Sequence, residues 1–356
     1  MNVTKPAAIH RRRTSGRRGA AALLGVVLVV LAVVGFSRHA LGGAKEMFAK
    51  YEKQCIDKGW KRITMTAGGL ERQVLWKAPD GGSWPRGVIV ALHGGGGTYS
   101  NYCANLSIGQ PMVDFSEMAL KDGYAVFLPD STEVLAKDDA GNTCGKRWDS
   151  LDHPGGENQD VLFIRTLIAK TIPGLRPRSS PSQVYLLGIS NGGFMTILAA
   201  TRMPELITAF AAVSAGDPYS TALECSKKNS SKLRQTPGIF VDRGTGKSIA
   251  DDASCGRVTG TSIALPKGAR PPFMFLYDMR DGGVDASCKT QAIQRLTGFG
   301  FPEIPPFIIK SAGRKSIFKH LWQDEYNTPL LKFLESRPQE VSSAEEAYRC
   351  RGGPGQ

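Results

Sequence analysis

One serine of the chain lies in a pattern that could make it a nucleophile. Residues 188–192 read Gly-Ile-Ser-Asn-Gly, with Ser190 at the centre, an apolar segment before it and a helix-like segment after it. At a strand-to-helix turn this tight, a side chain on either flanking position would clash, and the serine hydroxyl is pushed out at the sheet edge. We interpret Ser190 as a nucleophile; the alternative is a polar helix cap followed by glycine.

A serine hydroxyl needs a base, and histidine is the usual one. The chain has five histidines: His10, His39, His93, His153 and His320. In the strand–serine–helix architecture the carboxylate and the histidine follow the serine along the chain. Only His320 lies downstream of Ser190, so elimination selects it as the general base, the alternative being an isolated surface histidine.

The carboxylate that orients the histidine should follow a strand between residues 190 and 320. The segment FMFLYDMRDGGVD (273–285) offers Asp278, Asp281 and Asp285. Asp281 is favoured because it lies just past the apolar run, in a glycine-flanked turn that could aim it back at the histidine. Asp278 is the next candidate, although Gly-Asp turns are also common surface turns.

A glycine run could supply the donors for a developing oxyanion. The segment ALHGGGGTYS (91–100) follows an apolar strand, and four consecutive glycines let backbone N–H groups face a substrate. We predict that Gly94 or Gly95, together with the N–H of Asn191, forms an oxyanion hole. On its own the glycine run could equally be a hinge.

Hydropathy patterns predict the elements that position these residues. Strands are expected at 72–79, 86–94, 124–130, 182–190, 207–216 and 271–278, and helices at 45–60, 112–123, 158–172, 191–204 and 327–337. The alternation of strand and helix predicts an α/β fold with a mostly parallel central sheet and helices on both faces. Residues 217–270 lack periodicity and are interpreted as a lid-like insertion, with a mobile surface loop as the alternative.

These segments together resemble the extracellular α/β-hydrolases of the poly(3-hydroxybutyrate) depolymerase and feruloyl or acetylxylan esterase group. The resemblance rests on VIVALHGGGG, GYAVFLPD, DVLFIRTLI, VYLLGISNGGFMT and PELITAFAAVSAG between residues 88 and 216, and on PPFMFLYDMRD and HLWQD further on. It implies an α/β-hydrolase fold and places Asp281 on the family's acid. His320 and Trp322 match a Gly-His-x-Trp pattern in which Lys319 replaces the glycine, and residues 217–270 have no convincing counterpart.

The N-terminal region is typical of an export signal. Residues 1–43 carry seven basic and no acidic residues, and an apolar run covers 20–36. The run fits either a cleaved signal peptide or a signal anchor, and it would send residues 45–350, the expected catalytic domain, across the membrane. Outside this leader the basic residues are interspersed with acidic ones and form no aromatic-basic stripe, which argues against nucleic-acid binding despite the net charge of +13.

The cysteines agree with an oxidising compartment. There are seven, and none forms a C-x-x-C pair, so zinc and thioredoxin-like roles lack support. Up to three disulfides are expected. Proximity in sequence suggests Cys103–Cys144 and Cys225–Cys255, although spacing does not determine connectivity.

The expected function is that of an exported serine esterase, a carboxylic ester hydrolase that acts on a small or polymeric ester without metal or organic cofactor. Membrane contact is expected only through the N-terminal apolar segment. Two alternatives remain open: a serine peptidase with the same triad, and a non-catalytic α/β-hydrolase-fold binding module at the cell surface.

Overall fold

The computed structural model describes residues 40–106, 109–131, 146–150, 158–219, 233–234, 241–242, 265 and 267–336. The chain divides into Met1–Glu46 and Met47–Gln356. Of the first unit only the beginning of one helix is described, so the apolar run at 20–36 of the predicted leader lies outside the described residues. Most of the predicted 217–270 insertion also lies outside them, and its role as a lid stays a prediction.

The described strands and helices have the following bounds. The strands are β1 (Lys61–Ala67), β2 (Leu70–Lys77), β3 (Val88–Leu92), β4 (Ala125–Pro129), β5 (Val184–Ile189), β6 (Ala209–Val213), β7 (Leu233–Arg234), β8 (Val241–Asp242), β9 (Phe273–Asp278) and β10 (Glu303–Ile309). The helices are α1 (Ala40–Asp57), α2 (Gln110–Lys121), α3 (Gln159–Thr166), α4 (Ile172–Leu175), α5 (Asn191–Arg202), α6 (Ala286–Gly298) and α7 (Asn327–Glu335).

Eight of the strands form one sheet in the order β1-β2-β4-β3-β5-β6-β9-β10. The β1–β2 and β2–β4 pairs are antiparallel, and the other neighbours are parallel. Strands β3, β4, β5, β6 and β9 are buried along their whole length, as strands covered on both faces must be. The predicted α/β-hydrolase fold is confirmed.

Helices cover the two faces of the sheet with separate apolar clusters. Residues of α3, α5 and α6 pack on one face, where Phe163, Phe194 and Leu296 are buried. Residues of α1, α2 and α7 pack on the other, where Cys55, Phe115 and Leu330 are buried. The apolar stripes of these helices therefore fix the sheet between two layers, and the loops at the carboxyl ends of the parallel strands are left to carry polar residues.

Five of the described elements were not predicted from the sequence, namely strands β1, β7, β8 and β10 and helix α6. One helix extends further than expected. Strand β10 contains two prolines, which a strand tolerates at the edge of a sheet; its register with β9 shifts between Ile304 and Phe307. Strand β1 is an exposed edge, and α6 has only a weak apolar stripe. The helix expected to end at Pro173 instead widens into a π turn at Leu167–Thr171 and continues through α4.

A disulfide joins Cys55 at the end of α1 to Cys103, which follows the short 3₁₀ turn Tyr99–Tyr102. The predicted pair Cys103–Cys144 is therefore wrong, because the fold brings Cys103 next to a cysteine 48 residues earlier. Cys288 is also disulfide-bonded. The predicted pair Cys225–Cys255 lies outside the described residues. Of the helices that the structure describes, none is long and apolar enough to cross a membrane.

Candidate active site

Ser190 lies at a sharp turn between β5 and α5. Its backbone has φ 52° and ψ −122°, a conformation that a residue with a Cβ rarely adopts. Two hydrogen bonds hold it there: Ser190 N–H donates to the Val213 carbonyl at 2.9 Å, and Phe194 N–H donates to the Ser190 carbonyl at 2.9 Å. Such a backbone costs about 1–3 kcal/mol, which the surrounding structure has to offset.

The flanking glycines are required by close packing. A Cβ on Gly188 would clash with the Gly192 carbonyl, and one on Gly192 would clash with the Leu92 and His93 carbonyls. These atoms belong to the backbone and cannot rotate away. The pattern Gly-x-Ser-x-Gly therefore reports a physical constraint of this turn: the start of α5 lies directly against the end of β3.

The structure brings Ser190, His320 and Asp281 together. The Oγ–H of Ser190 donates to His320 Nε2 at 2.8 Å, and His320 Nδ1–H donates to Asp281 Oδ1 at 2.9 Å. The histidine is only 6% exposed. Gly283 contributes by having no side chain, since a Cβ there would lie 2.5 Å from His320 Cγ. The arrangement can transfer a proton from the serine hydroxyl to the imidazole.

Asp281 lies three residues beyond β9, and its carboxylate is held from several directions. Oδ1 accepts the N–H groups of Gly283 and Val284 at 2.7 and 3.0 Å, and Oδ2 accepts Lys289 Nζ at 2.6 Å. Burial raises the pKa of Asp281, but the charges and hydrogen bonds of His320 and Lys289 outweigh it, so the pKa lies below its ordinary value. The carboxylate is the stable form next to the imidazole.

The loop that carries Asp281 and the loop that carries His320 are joined by backbone hydrogen bonds. Gly282 N–H donates to the Ser316 carbonyl at 2.9 Å, and Ser316 N–H donates to the Arg280 carbonyl at 3.0 Å. Ser316 precedes the 3₁₀ turn Ile317–Lys319, which ends at His320. The backbone therefore sets the distance between the carboxylate and the imidazole.

The other two carboxylates of this segment have different partners. Asp278 Oδ1 accepts the Arg280 N–H at 2.7 Å. Asp285 is the N-cap of α6, where it accepts the Ser287 N–H at 2.9 Å and pairs with Lys315. Of the three aspartates considered from the sequence, Asp281 is the one bonded to His320.

The predicted oxyanion donors surround the serine. A Cβ built on Gly94 would lie 3.5 Å from Ser190 Cβ, and one on Gly95 would lie 3.4 Å from Asn191 Cβ. Within the described part of the chain, neither the Gly94 nor the Gly95 N–H has a hydrogen-bond acceptor. The N–H of Asn191 is the first of α5 and has no acceptor within the helix. Among the residues that the structure describes, the N–H groups of Gly94 and Asn191 thus lie on residues that adjoin Ser190, and the N–H of Gly95 lies on a residue that adjoins Asn191.

His93 fixes the orientation of the glycine loop. Its Nδ1–H donates to the Gly94 carbonyl at 2.8 Å, and Gly97 N–H donates to the same oxygen at 3.1 Å. The Gly94 carbonyl and the Gly95 N–H belong to the same trans peptide and point in opposite directions. The Gly95 N–H therefore points away from the His93 ring and from the Gly97 N–H. On its other side, His93 Nε2 lies 3.2 Å from Asp130, which also pairs with Lys146.

The Asn191 side chain has a role that the sequence did not reveal. Its Oδ1 accepts the Trp148 N–H at 2.6 Å, and its Nδ2 donates to the Trp148 carbonyl at 3.1 Å and to Ser150 Oγ at 2.9 Å. Trp148 Nε1 in turn donates to the His93 carbonyl at 2.9 Å. The tryptophan therefore ties the start of α5 to the glycine loop, and a large aromatic residue in the polar segment KRWDS was the only sequence signal for it.

Two further buried charges support this segment. Asp160 Oδ2 accepts the Asp149 N–H at 2.7 Å, and its Oδ1 lies 2.8 Å from the Arg72 guanidinium. Burial raises the pKa of Asp160, against the lowering effect of the Asp149 N–H and of Arg72. Asp160 is in the first turn of α3, and its carboxylate also anchors the backbone beside Trp148.

The sheet order and the strand–serine–helix turn define an α/β-hydrolase fold, in which hydrogen bonds join Ser190, His320 and Asp281. No family model matches the chain. Similarity to individual proteins is consistent with this class. Over 133 residues the chain is 32% identical to feruloyl esterase B of Talaromyces stipitatus, and the match covers 37% of this chain and 32% of that protein.

Two other relatives have different names. The chain is 27% identical over 201 residues to the probable acetylxylan esterase A of Aspergillus clavatus, covering 55% of this chain and 56% of that protein. It is 24% identical over 166 residues to the poly(3-hydroxybutyrate) depolymerase of Ralstonia pickettii, covering 46% and 32%. These names confirm the predicted resemblance. The chain spans between about a third and just over half the length of these three relatives.

Among solved structures, the chain is similar to an acylaminoacyl peptidase of Pyrococcus horikoshii. The identity is 17%, the TM-score is 0.49, and the match covers 78% of this chain and 41% of that one. An acetyl xylan esterase from Aspergillus awamori gives 19% identity and a TM-score of 0.42, covering 67% and 80%.

Proposed function

We propose that the protein is a serine esterase that cleaves carboxylic esters through an acyl-enzyme. The observation that carries the proposal is the continuous hydrogen-bonded line from Ser190 Oγ through His320 to Asp281, at 2.8 and 2.9 Å. The strained serine backbone and the free N–H groups around it support the same interpretation, since a binding module has no need of either.

The geometry suggests a two-step reaction. Ser190 Oγ attacks the ester carbonyl carbon while His320 Nε2 takes its proton, and Asp281 stabilises the resulting imidazolium. The N–H groups of Asn191 and of Gly94 or Gly95 hold the oxyanion. When the C–O bond breaks, His320 returns the proton to the leaving alcohol. Water then attacks the acyl-enzyme with His320 as base, which releases the carboxylic acid and restores the serine.

The substrate class follows from the names of the relatives. The names of these relatives refer to feruloyl esters, to acetylxylan and to poly(3-hydroxybutyrate). We infer that the chain acts on such an ester, with a feruloyl, acetyl or hydroxybutyryl acyl group.

The proposed location is outside the cytoplasm. A basic segment precedes the apolar run at 20–36, which is the pattern of a signal peptide or signal anchor. The disulfide between Cys55 and Cys103 supports an oxidising compartment, because such bonds are rare where thiols are kept reduced.

A fluorophosphonate probe tests the nucleophile. We expect the wild-type protein to be labelled and Ser190→Ala to remain unlabelled, because the probe needs an activated serine. Ser116→Ala is a matched control, since Ser116 bonds within α2 to the Met112 carbonyl. Equal labelling of wild type and Ser190→Ala would exclude Ser190 as the nucleophile. Absence of labelling in both proteins would also exclude it and would favour a binding module.

The substrate class is tested by kcat/KM on four substrates: a p-nitrophenyl acetate, a methyl ferulate, a hydroxybutyrate oligomer and a short peptide amide. Hydrolysis of at least one ester, lost in Ser190→Ala, is the expected result. Preferential cleavage of the peptide would indicate a serine peptidase with the same triad.

A further inference from the structure

A lysine with no solvent exposure lies against the proposed acid. Lys289 is in the first turns of α6, and its side chain is 0% exposed. Lysines are almost never fully buried without a partner, because the ammonium group loses its hydration. In this structure the partner is Asp281, with Nζ 2.6 Å from Oδ2.

The surroundings of Nζ match the needs of an ammonium group. One N–H donates to Asp281 Oδ2 at 2.6 Å, a second donates to the Val284 carbonyl at 2.7 Å, and Nζ lies 5.0 Å from the centre of the Tyr277 ring. An ammonium has three donors, and the face of an aromatic ring is a favourable site for the cation. A neutral amine would have one donor fewer for the same three neighbours.

Holding the acid in place does not by itself require this lysine. Asp281 Oδ1 already accepts the two backbone N–H groups of Gly283 and Val284 in addition to His320. The lysine contacts the opposite oxygen, Oδ2, so what it adds is chiefly a positive charge one hydrogen bond away from the carboxylate that faces the imidazole.

Other charged or titratable groups also face this cluster. From the start of α6, Asp285 interacts with Lys289, and Asp285 is itself paired with Lys315 at 2.6 Å. From the end of β9 comes Asp278, and from the 3₁₀ turn before α7 comes Tyr326, whose pKa is raised by burial and by the charges of Asp278 and Asp281. Burial lowers the pKa of Lys289, and the Asp281 charge opposes that effect. Lys289 is the cation in direct contact with the Asp281 carboxylate.

We propose that Lys289 is a positioning residue that acts through Asp281: it compensates the carboxylate charge and thereby extends ester hydrolysis to lower pH. This inference rests on the proposed function. With Lys289 present, the resting lysine–aspartate–histidine cluster is neutral overall, and protonation of His320 gives it a net positive charge. Without the ammonium, the cluster is negative, and an extra proton on the imidazole or the carboxylate is favoured. Protonation of the imidazole removes the base that Ser190 needs, and protonation of the carboxylate removes the charge that stabilises the imidazolium.

The readout is the acid limb of the pH dependence of kcat/KM, on which the midpoint is the pH at which kcat/KM falls to half of its maximum. In Lys289→Met and Lys289→Gln we expect its midpoint to rise by about 1–3 pH units, the order of effect of one charge at about 4–10 Å and an effective dielectric near 20. Lys289→Arg keeps the charge and should remain close to wild type. Lys315→Met removes a lysine that pairs with Asp285 at 37% exposure, and it should move the midpoint far less.

The Gln variant separates charge from contact, because it can still donate to Oδ2. If the profiles of Lys289→Met and Lys289→Gln coincide with wild type, Lys289 is structural and the proposal is overturned. Rates are divided by the fraction of active sites that the fluorophosphonate probe titrates, so partly folded variants do not distort the comparison.

A measurement on the wild-type protein covers the case in which the variants do not fold. In ¹⁵N-lysine NMR, Lys289 should give an ammonium signal at every pH at which esters are hydrolysed; a neutral amine at neutral pH would overturn the proposal. The same experiment distinguishes failure of the proposed esterase function from failure of the proposed role of Lys289. If wild type neither labels nor hydrolyses esters, the proposed function fails, whereas the charge of Lys289 is still read from its resonance.

Discussion

His320 Nε2 lies 2.8 Å from Ser190 Oγ, although 130 residues separate them in the chain. The serine comes from the end of a central strand and the histidine from a loop that follows the edge strand β10. Neither residue can reach the other unless the sheet, α6 and the two loops are all in place. Activity therefore reports on the integrity of the whole carboxyl edge of the sheet.

Substitution of the two partners of the serine should separate chemistry from folding. In His320→Gln and Asp281→Asn we expect kcat on an activated ester to fall by about 10⁴-fold, since the base or its orienting charge is lost. KM should change little, because neither group is proposed to bind the ground-state ester. Thermal unfolding monitored by circular dichroism provides the control. A loss of less than about tenfold in both variants would contradict the assigned roles.

Two glycine substitutions test the packing at the serine turn. Gly192→Ala places a Cβ against the backbone of Leu92 and His93, and we expect it to destabilise the fold by about 1–3 kcal/mol or more. Gly174→Ala is the matched control: it lies in α4, a Cβ there meets nothing within 4 Å, and the fold should gain about 0.5–1 kcal/mol. Urea denaturation measures both. Similar midpoints for the two variants would refute the packing argument.

Removal of the Cys55–Cys103 disulfide should lower stability. The bond closes a loop of 48 residues, for which the chain-entropy relation gives about 4 kcal/mol. We therefore expect the double variant Cys55→Ser/Cys103→Ser to unfold at a clearly lower denaturant concentration. The double substitution is preferable to a reducing agent, because Cys288 is also disulfide-bonded. An unchanged midpoint would show that packing of α1 alone holds these segments together.

Stability should depend on pH through Asp130. Burial raises the pKa of Asp130, but His93 and Lys146 outweigh it, so the pKa lies below its ordinary value of 3.8. A carboxyl with a lowered folded pKa stabilises the fold above pH 3.8, and that contribution is lost as the pH falls through the folded pKa. Asp130→Asn should cost about 1.5–3 kcal/mol at pH 7, and the deficit should shrink below pH 4.

The control for that series is Asp80→Asn, a change in an exposed loop. Its free energy of unfolding should run parallel to wild type across the whole pH range. A deficit in Asp130→Asn that stayed constant from pH 7 to pH 2 would indicate that the carboxyl stabilises the fold through its shape and packing, and not through its charge.

Much of this architecture could be predicted because a few residues carry strong local constraints. A side chain at Gly188 or Gly192 would clash with backbone atoms, and the buried parallel strands form continuous apolar runs. The strand–serine–helix turn and the central sheet could therefore be predicted from the sequence. His320 followed from elimination and from the resemblance of HLWQD to a Gly-His-x-Trp pattern. That it meets Ser190 depends on the fold, and its catalytic role stays a prediction.

The features that could not be predicted depend on contacts between distant segments. Trp148, Asp160 and Lys289 look like ordinary residues of a loop or helix in sequence, and their roles come from what packs against them. Strand β10 was missed because Pro305 and Pro306 argue against a strand, a rule that holds for central strands but not for an edge. The disulfide was misassigned because separation along the chain carries no information about neighbours in space.

The two hydrogen bonds between Ser316 and the segment Arg280–Gly282 tie the loop that carries the carboxylate to the loop that carries the imidazole. The nucleophile comes from a separate turn after β5. A substitution that displaces this turn should therefore lengthen the serine–histidine distance and leave the histidine–aspartate distance unchanged.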